Sequence, residues 1–217
     1  MSTTIPSSPA ARAPTGLSIR LANLEDITDI LTLHCEAFAD KFGGAFGTNG
    51  MTRGAAALEA SWRRQGMQAL RGMFVAELDG QIVGTTTLRT WEMGIDNSGA
   101  AELAFQQVLG VWGAIRSMFA LSLLDHRIGR GEGFITDVAV LNDYRRQGIA
   151  GAMLARAEQE AQSRHKHYLG LYVSGANMGA RTLYRRLGFR DMYVRRSWLT
   201  RLIFGQREWV YMRKHLT

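Results

Sequence analysis

The chain has 217 residues, 46% of them hydrophobic and 21% charged, an ordinary composition for a soluble globular protein and enough for one domain with a full core. Its net charge of +7 is uneven: 15 basic and 7 acidic residues lie from Gly131 onward, against 11 and 12 before it, so the C-terminal half suits an anionic partner. The arginines there are scattered among core-type residues without a long run, which disfavours nucleic acid and leaves a phosphate-bearing ligand as the better fit.

Residues 1–16 hold all three prolines, with Ser, Thr and Ala, and read as a disordered leader before a single domain over 17–217. No basic and apolar secretory signal opens the chain. Leu17 to Leu21 reads as a short strand. Asn23 is placed to cap a following helix in which Leu24, Ile27, Ile30, Leu31, His34 and Phe38 recur at helical spacing. Cys35 lies in that helix as the sole cysteine, so no internal disulfide can form. It reads as a small buried hydrophobe, and a reducing, cytoplasmic compartment is expected. Glycines 43, 44, 47 and 50 predict a loop over 42–51, and a second helix is expected over 52–70 with Leu58, Trp62 and Met67 inward.

Phe74–Leu78, Asp79-Gly80 and Gln81–Leu88 form a hairpin pattern, since Asp-Gly supplies the two positive φ angles of a type I′ turn. Ala100 to Leu124 has helical composition with an apolar face (Leu103, Val108, Leu109, Trp112, Ile115, Phe119, Leu123) and a break near Gly110 or Gly113. It belongs to an insertion over about 92–130, read either as extra packing or as a lid on an acceptor pocket. Its most apolar part, Leu103–Ile115, is too short for a bilayer, which needs about 20 residues.

Gly133 to Gly151 then runs strand, turn, helix. Phe134 to Val140 is apolar and β-branched around one acid, Asp137, which looks buried. Leu141–Tyr144 is turn-like, and Arg145-Arg146-Gln147-Gly148-Ile149-Ala150 opens a helix that extends from about Gln147 to Ser163. Free N–H groups at a helix start, two arginines and a glycine for close approach make an anion site. A P-loop would need Lys-Ser/Thr after the glycine, and a dinucleotide fingerprint three spaced glycines; neither is present. A solvated Arg-Arg helix start is the plain alternative. Tyr168–Val173 reads as a strand, Asn177–Leu187 as a helix ended by Gly188, and Phe189–Trp198 and Glu208–Arg213 as two further strands. Asn177, Ala180 and Tyr184 share one face of their helix. The order predicts a mixed sheet with helices on its faces.

The stretches ITDVAVLNDYRRQGIAGAML (135–154) and SGANMGARTLYRRLGF (174–189) resemble the GNAT superfamily of N-acetyltransferases. The resemblance covers 133–190 in motif and about 17–213 in topology, with the insertion as the outlier. It implies an α/β fold with a central, mostly antiparallel mixed sheet, acetyl-CoA as acyl donor and no metal. It also implies that Val138, Ala139 and Val140 hydrogen-bond the pantetheine arm like an added strand. The amides of Arg145, Arg146, Gln147, Gly148, Ile149, Ala150 and Gly151 would cradle the pyrophosphate. Asn177 and Ala180 would contact the pantetheine region, and Tyr184 would sit beside the thioester sulfur.

An alkyl amine, with a pKa near about 10.4, must lose a proton before it attacks a thioester. Asp137 is the candidate base, Tyr184 the candidate acid for the departing thiolate, and a strand amide the oxyanion donor. The expected activity is acetyl transfer to a primary amine, of a small molecule or a peptide, by direct attack in a ternary complex. Glu36, Asp40, Glu92 and Asp96 offer negative charge to a cationic acceptor. The alternative is a non-catalytic acyl-CoA sensor or scaffold. No nucleic-acid or membrane partner is expected, and a homodimer is compatible with the sequence.

Overall fold

The computed structural model describes residues 13–39, 45–46, 50–94, 99–122 and 126–217. The expected leader falls mostly outside them, as does most of the expected loop at 42–51. The elements, in order, are β1 (Ser18–Leu21), α1 (Ile27–Ala37), α2 (Ala55–Gln65), β2 (Met73–Leu78), β3 (Gln81–Thr90), α3 (Gly99–Ser122), β4 (Glu132–Val140), α4 (Ile149–Ser163), β5 (Tyr168–Ser174), α5 (Met178–Arg186), β6 (Arg190–Arg196), α6 (Trp198–Phe204) and β7 (Glu208–His215). The seven strands form one sheet in the order β1-β2-β3-β4-β5-β7-β6, with β4 and β5 parallel and every other pair antiparallel.

Local chemistry sets the boundaries. Asn23 accepts from the amides of Glu25 and Asp26 while Asp26 accepts from Asn23, a reciprocal cap on a short 3₁₀ turn that leads into α1. Asp79 and Gly80 both take positive φ, as the hairpin turn requires. The second helix is shorter than expected, because Gly66 (φ 62°) ends it; Leu58 and Trp62 pack inward, but Met67 lies beyond the helix and is exposed. The strand expected up to Trp198 stops at Arg196, and α6 follows because Ser197 caps it through the Thr200 amide and Gly205 ends it in the left-handed region.

Within the insertion, α3 is two helical segments joined at Gly110, whose φ of 75° and ψ of 170° are not helical, while Gly113 stays helical. Its orientation differs from the expected one. Leu103, Trp112, Ile115 and Phe119 are exposed, and the face turned inward carries Ala104, Phe105, Ala114, Ser117 and Ala120. Of the expected face, Val108 and Leu109 do pack, in a cluster with Ala57, Phe105 and Ala114, while Leu103, Trp112, Ile115 and Phe119 are left outside. Among the described residues no helix is long and apolar enough to cross a membrane.

The sheet separates two apolar layers. On one face Ile27, Ile30, Leu31 and Leu33 of α1 cover Met73, Val75 and Ala139. On the other, α4 and α5 cover Phe74, Ile135, Leu171, Val173, Val210 and Met212. Full burial of side chains such as Ile149 and Met153 stabilises the fold by about 1.5–3 kcal/mol each. These layers fix which face each β4 and β5 side chain meets.

Candidate active site

β4 and β5 pair only at their first halves, Glu132–Ile135 against Tyr168–Leu171. Beyond Ile135 the two strands have no mutual ladder, and a cleft of about 1160 Å³ opens there through the sheet. Strand alternation sorts its lining. Ile135, Leu171 and Val173 face α4 and α5. Phe134 and Tyr172 face the other way, together with Tyr211.

The closed end is held by a buried carboxylate. Glu132, 3% exposed, accepts from Tyr211 Oη at 2.6 Å, from His126 Nε2 at 3.0 and 3.1 Å, and from the Gly129 amide at 3.1 Å. Burial pushes its pKa up, but the hydrogen bonds from His126, Tyr211 and Gly129 more than offset that and hold it below the usual range. Gly170 is required here, because a Cβ on it would collide with Glu132 Oε1 and Tyr211 Oη.

The open end is bent by a β-bulge. Thr85 pairs with Ala139 but Thr87 with Thr136, so β4 carries an extra residue there. That residue is Asp137, at φ 54°. The expected buried acid is therefore exposed: the bulge turns it out of the sheet, and Thr136 Oγ1 donates to its Oδ2 at 2.8 Å. Thr136 lies on the α1 face, so the carboxylate is tied to that side of the cleft. Val138 packs against the α4–α5 layer instead.

Two residues not foreseen from the sequence hold this bulge. Thr85 Oγ1 donates to the Asp137 carbonyl at 3.1 Å and lies 2.9 Å from His34 Nε2. A hydroxyl has one proton, and the carbonyl can only accept, so His34 must donate through Nε2–H. Both side chains are buried. The signal that pointed to them was the threonine run 85–87 inside a strand, which periodicity alone does not interpret.

On the α4 side the cleft is built from backbone. Arg146 (φ 63°) and Gly148 (φ 80°) flank Gln147 and turn this segment into a concave nest. The first intrahelical bond of α4 runs from Ala152 N to Gly148 O, so the amides of Ile149, Ala150 and Gly151 have no acceptor within the helix. Arg145 Nε is tied back to the Val140 carbonyl at 3.0 Å, and Gln147 Nε2 to that of Asp143 at 3.1 Å. Ala139 and Val140 use their β3 side against Thr85 and Gly84 and have no β5 partner on the other.

Across the cleft, Asn177 caps α5 by accepting from Ala180 N at 3.0 Å, which leaves its amide NH₂ for a ligand. Tyr184, 7% exposed, lines the cleft on the α5 side, and burial pushes its phenol up to about 12. The structure thus brings Asp137, Val138–Val140, Arg145, Arg146, Gly148–Gly151, Asn177, Ala180 and Tyr184 to one cleft; Gln147 belongs to its turn, tied to Asp143. Of the acids expected to attract an acceptor, Glu36 and Glu92 do not line the cleft. Glu36 accepts from Asn142 N at 3.0 Å, and Glu92 pairs with Lys166 at 2.5 Å. Asp40 and Asp96 lie outside the described residues. Cys35 is half-buried, and burial raises its thiol pKa. Among the described residues no group of three His, Cys, Asp or Glu side chains could hold a metal ion.

A splayed parallel strand pair followed by an amide nest in a mixed sheet is an arrangement suited to an extended, phosphate-bearing ligand. Residues 35–189 match the model of the acetyltransferase (GNAT) family, and the chain belongs to that family. The [ribosomal protein bS18]-alanine N-acetyltransferase of Escherichia coli (strain K12) is 36% identical over 67 residues, 31% of this chain and 45% of that protein. An N-alpha-acetyltransferase of Sulfurisphaera tokodaii is 31% identical over 128 residues, 58% of this chain and 60% of that one. The chain spans only 29% of an uncharacterized N-acetyltransferase of Methanocaldococcus jannaschii at 35% identity. Among solved structures, an acetyltransferase superposes with a TM-score of 0.61 at 21% identity over 92% of this chain and 100% of that one. The PaiA N-acetyltransferase of Thermoplasma acidophilum, solved with coenzyme A, gives 0.55 at 14% identity over 92% and 98%. These two likenesses show the fold.

Proposed function

We propose that the protein transfers acetyl from acetyl-CoA to a primary amine by direct attack, the two substrates entering the cleft from opposite faces of the sheet. The observation that supports this most is the sidedness of the two candidate groups. Tyr184 lies on the α4–α5 face with the amide nest, and Asp137 is tied to the α1 face by Thr136. Acetyl-CoA supplies an acyl group activated as a thioester.

The chain's residues then divide the work. The nest at Arg146–Gly151 and the helix start take the pyrophosphate. The free edge of β4 past Ile135 hydrogen-bonds the pantetheine arm, assisted by the Asn177 NH₂. Asp137 takes the ammonium proton, directly or through water, and frees the nitrogen lone pair. A β4 amide beyond the bulge donates to the carbonyl oxygen as it becomes negative. The C–N bond forms, the C–S bond breaks, and the second nitrogen proton is shed as the sulfur gains one.

Tyr184 donates a hydrogen bond to the departing sulfur. Its raised pKa, about 12, keeps it protonated at working pH. Because a thiol has a pKa of about 8.5, outright transfer from so weak an acid runs uphill, and the proton passes only as the substrate nitrogen gives up its own. The test is thiol release from acetyl-CoA across a panel of amines and peptides. Turnover supports the reading. Coenzyme binding without turnover on any amine would leave the alternative of an acyl-CoA sensor.

A further inference from the structure

The α1-face mouth of the cleft is walled by Phe38, Tyr172, Phe204 and Trp209. Of its polar side chains, Thr136 donates to Asp137 at 2.8 Å and Ser174 donates to Gln206 at 2.6 Å. Among the described residues lining the cleft, Asp137 is the only carboxylate, and Arg145, Arg146 and Arg186 belong to the coenzyme side. Outward from Phe204, α6 exposes large apolar side chains with Arg201 between them. Trp198 and Leu202 of α6 are 71% and 76% exposed, and Ala120 of α3 packs on Phe204 beside the exposed Phe119.

This lining discriminates between amines. A polyamine or an aminoglycoside brings several ammonium groups, and each one taken from water without a carboxylate costs free energy. One carboxylate matches one ammonium. Aromatic walls hold a cation over their faces on its way in, bury an apolar body, and by desolvation lower the pKa of the amine that Asp137 must deprotonate.

We propose that the acceptor is a monoamine, a single primary amine on an aromatic or aliphatic body, supplied either as a free arylalkylamine or as the first residue of a peptide. This rests on the transfer reading above and adds to it the class of acceptor.

The test measures kcat/KM by thiol release on the full chain with acetyl-CoA and four acceptors: 2-phenylethylamine, a tripeptide beginning with Phe, spermidine and kanamycin. At least one of the first two should exceed both polycations by about tenfold or more, the discrimination an apolar pocket commonly provides. The faster of those two names the source. Trp209→Ala should remove most of that preference with acetyl-CoA affinity, read by calorimetry, unchanged; Trp209→Phe should restore much of it. Gln206→Glu, by adding a second carboxylate, should raise spermidine relative to 2-phenylethylamine. Faster turnover of spermidine or kanamycin, or a preference indifferent to both Trp209 variants, overturns the monoamine assignment and leaves acetyl transfer standing. Acetyl-CoA binding with no thiol release on any acceptor overturns the transfer reading, and this one with it.

Discussion

β4 carries two carboxylates five positions apart, and the strand treats them in opposite ways. Glu132 lies in the half paired on both sides, is buried, and has Tyr211, His126 and Gly129 as donors. Asp137 lies in the half that β5 has left, sits on a bulge with positive φ, is exposed, and has Thr136 as its side-chain donor. The first joins the strands where they meet. The second stands where they part, with oxygen lone pairs available to a proton. One ladder interrupted at Ile135 is enough to separate a structural acid from the acid proposed as the base.

The largest effect should come from the paired end. Glu132→Ala removes the acceptor of the buried Tyr211 hydroxyl, of the partly buried His126 and of the Gly129 amide and should cost about 3–5 kcal/mol of stability, read from denaturant unfolding. The same group predicts a pH dependence. Its folded pKa is depressed, so its contribution is complete above the unfolded carboxylate value of about 4.3 and lost as pH falls through the folded value. The melting temperature of the wild type should therefore drop on acidification below about pH 4.3, and that of Glu132→Gln should drop less. At the open end the pattern should reverse. Asp137→Asn should leave the melting temperature within a degree or two and lower kcat by about 10²-fold, near 2.7 kcal/mol of barrier. A large loss of stability with unchanged kcat would erase the contrast between the two acids.

The coenzyme side of the cleft was legible in the sequence because it is made of local signals. Gly148 after two arginines, Asn177 before a helix and Gly188 after one each specify backbone geometry within a few residues. The side proposed for the acceptor is made of Phe38, Tyr172, Phe204, Gln206 and Trp209, brought together from the residue after α1, β5, α6, the α6–β7 turn and β7. No spacing links them. Asp137 was misjudged for a related reason: its place inside an apolar, β-branched run made it look buried, and one bulged residue turns it out of the sheet and changes which face every later side chain meets. The α3 face was only partly legible: Val108 and Leu109 pack as expected, but Phe105 and the small residues Ala104, Ala114, Ser117 and Ala120 make the rest of the buried face.

A smaller effect tests the coenzyme side. Tyr184→Phe keeps the ring that packs on Phe189 and deletes only the hydroxyl. It should lower kcat by about tenfold to a hundredfold, with acetyl-CoA affinity nearly unchanged, since a hydrogen bond that strengthens as charge leaves on sulfur acts on the barrier alone. The pH profile adds a second check. The phenol titrates near 12, so loss of its proton cannot produce a fall in rate at lower pH; such a limb in the wild type that vanishes in Tyr184→Phe would contradict the assignment.

The smallest predicted effect asks what makes Asp137 different from Glu132 in the first place. Thr85 Oγ1 bridges the Asp137 carbonyl and His34 Nε2, and so clamps the bulge to the sheet from the α1 face. Thr85→Val keeps the β-branched shape and removes the bridge, which should cost about 1–3 kcal/mol of stability, because a partly buried carbonyl and a buried N–H each lose a partner. A bulge free to shift would also displace the carboxylate and the amides beyond it, so kcat should fall several-fold while the KM for acetyl-CoA, set largely at the distant nest, stays within about twofold. Thr85→Ser restores the hydroxyl without the methyl and should recover kcat more fully than stability. Equal kcat in the Val and Ser variants would mean that the hydroxyl does not position Asp137, and the split between the two halves of β4 would then have to arise from the missing β5 ladder alone.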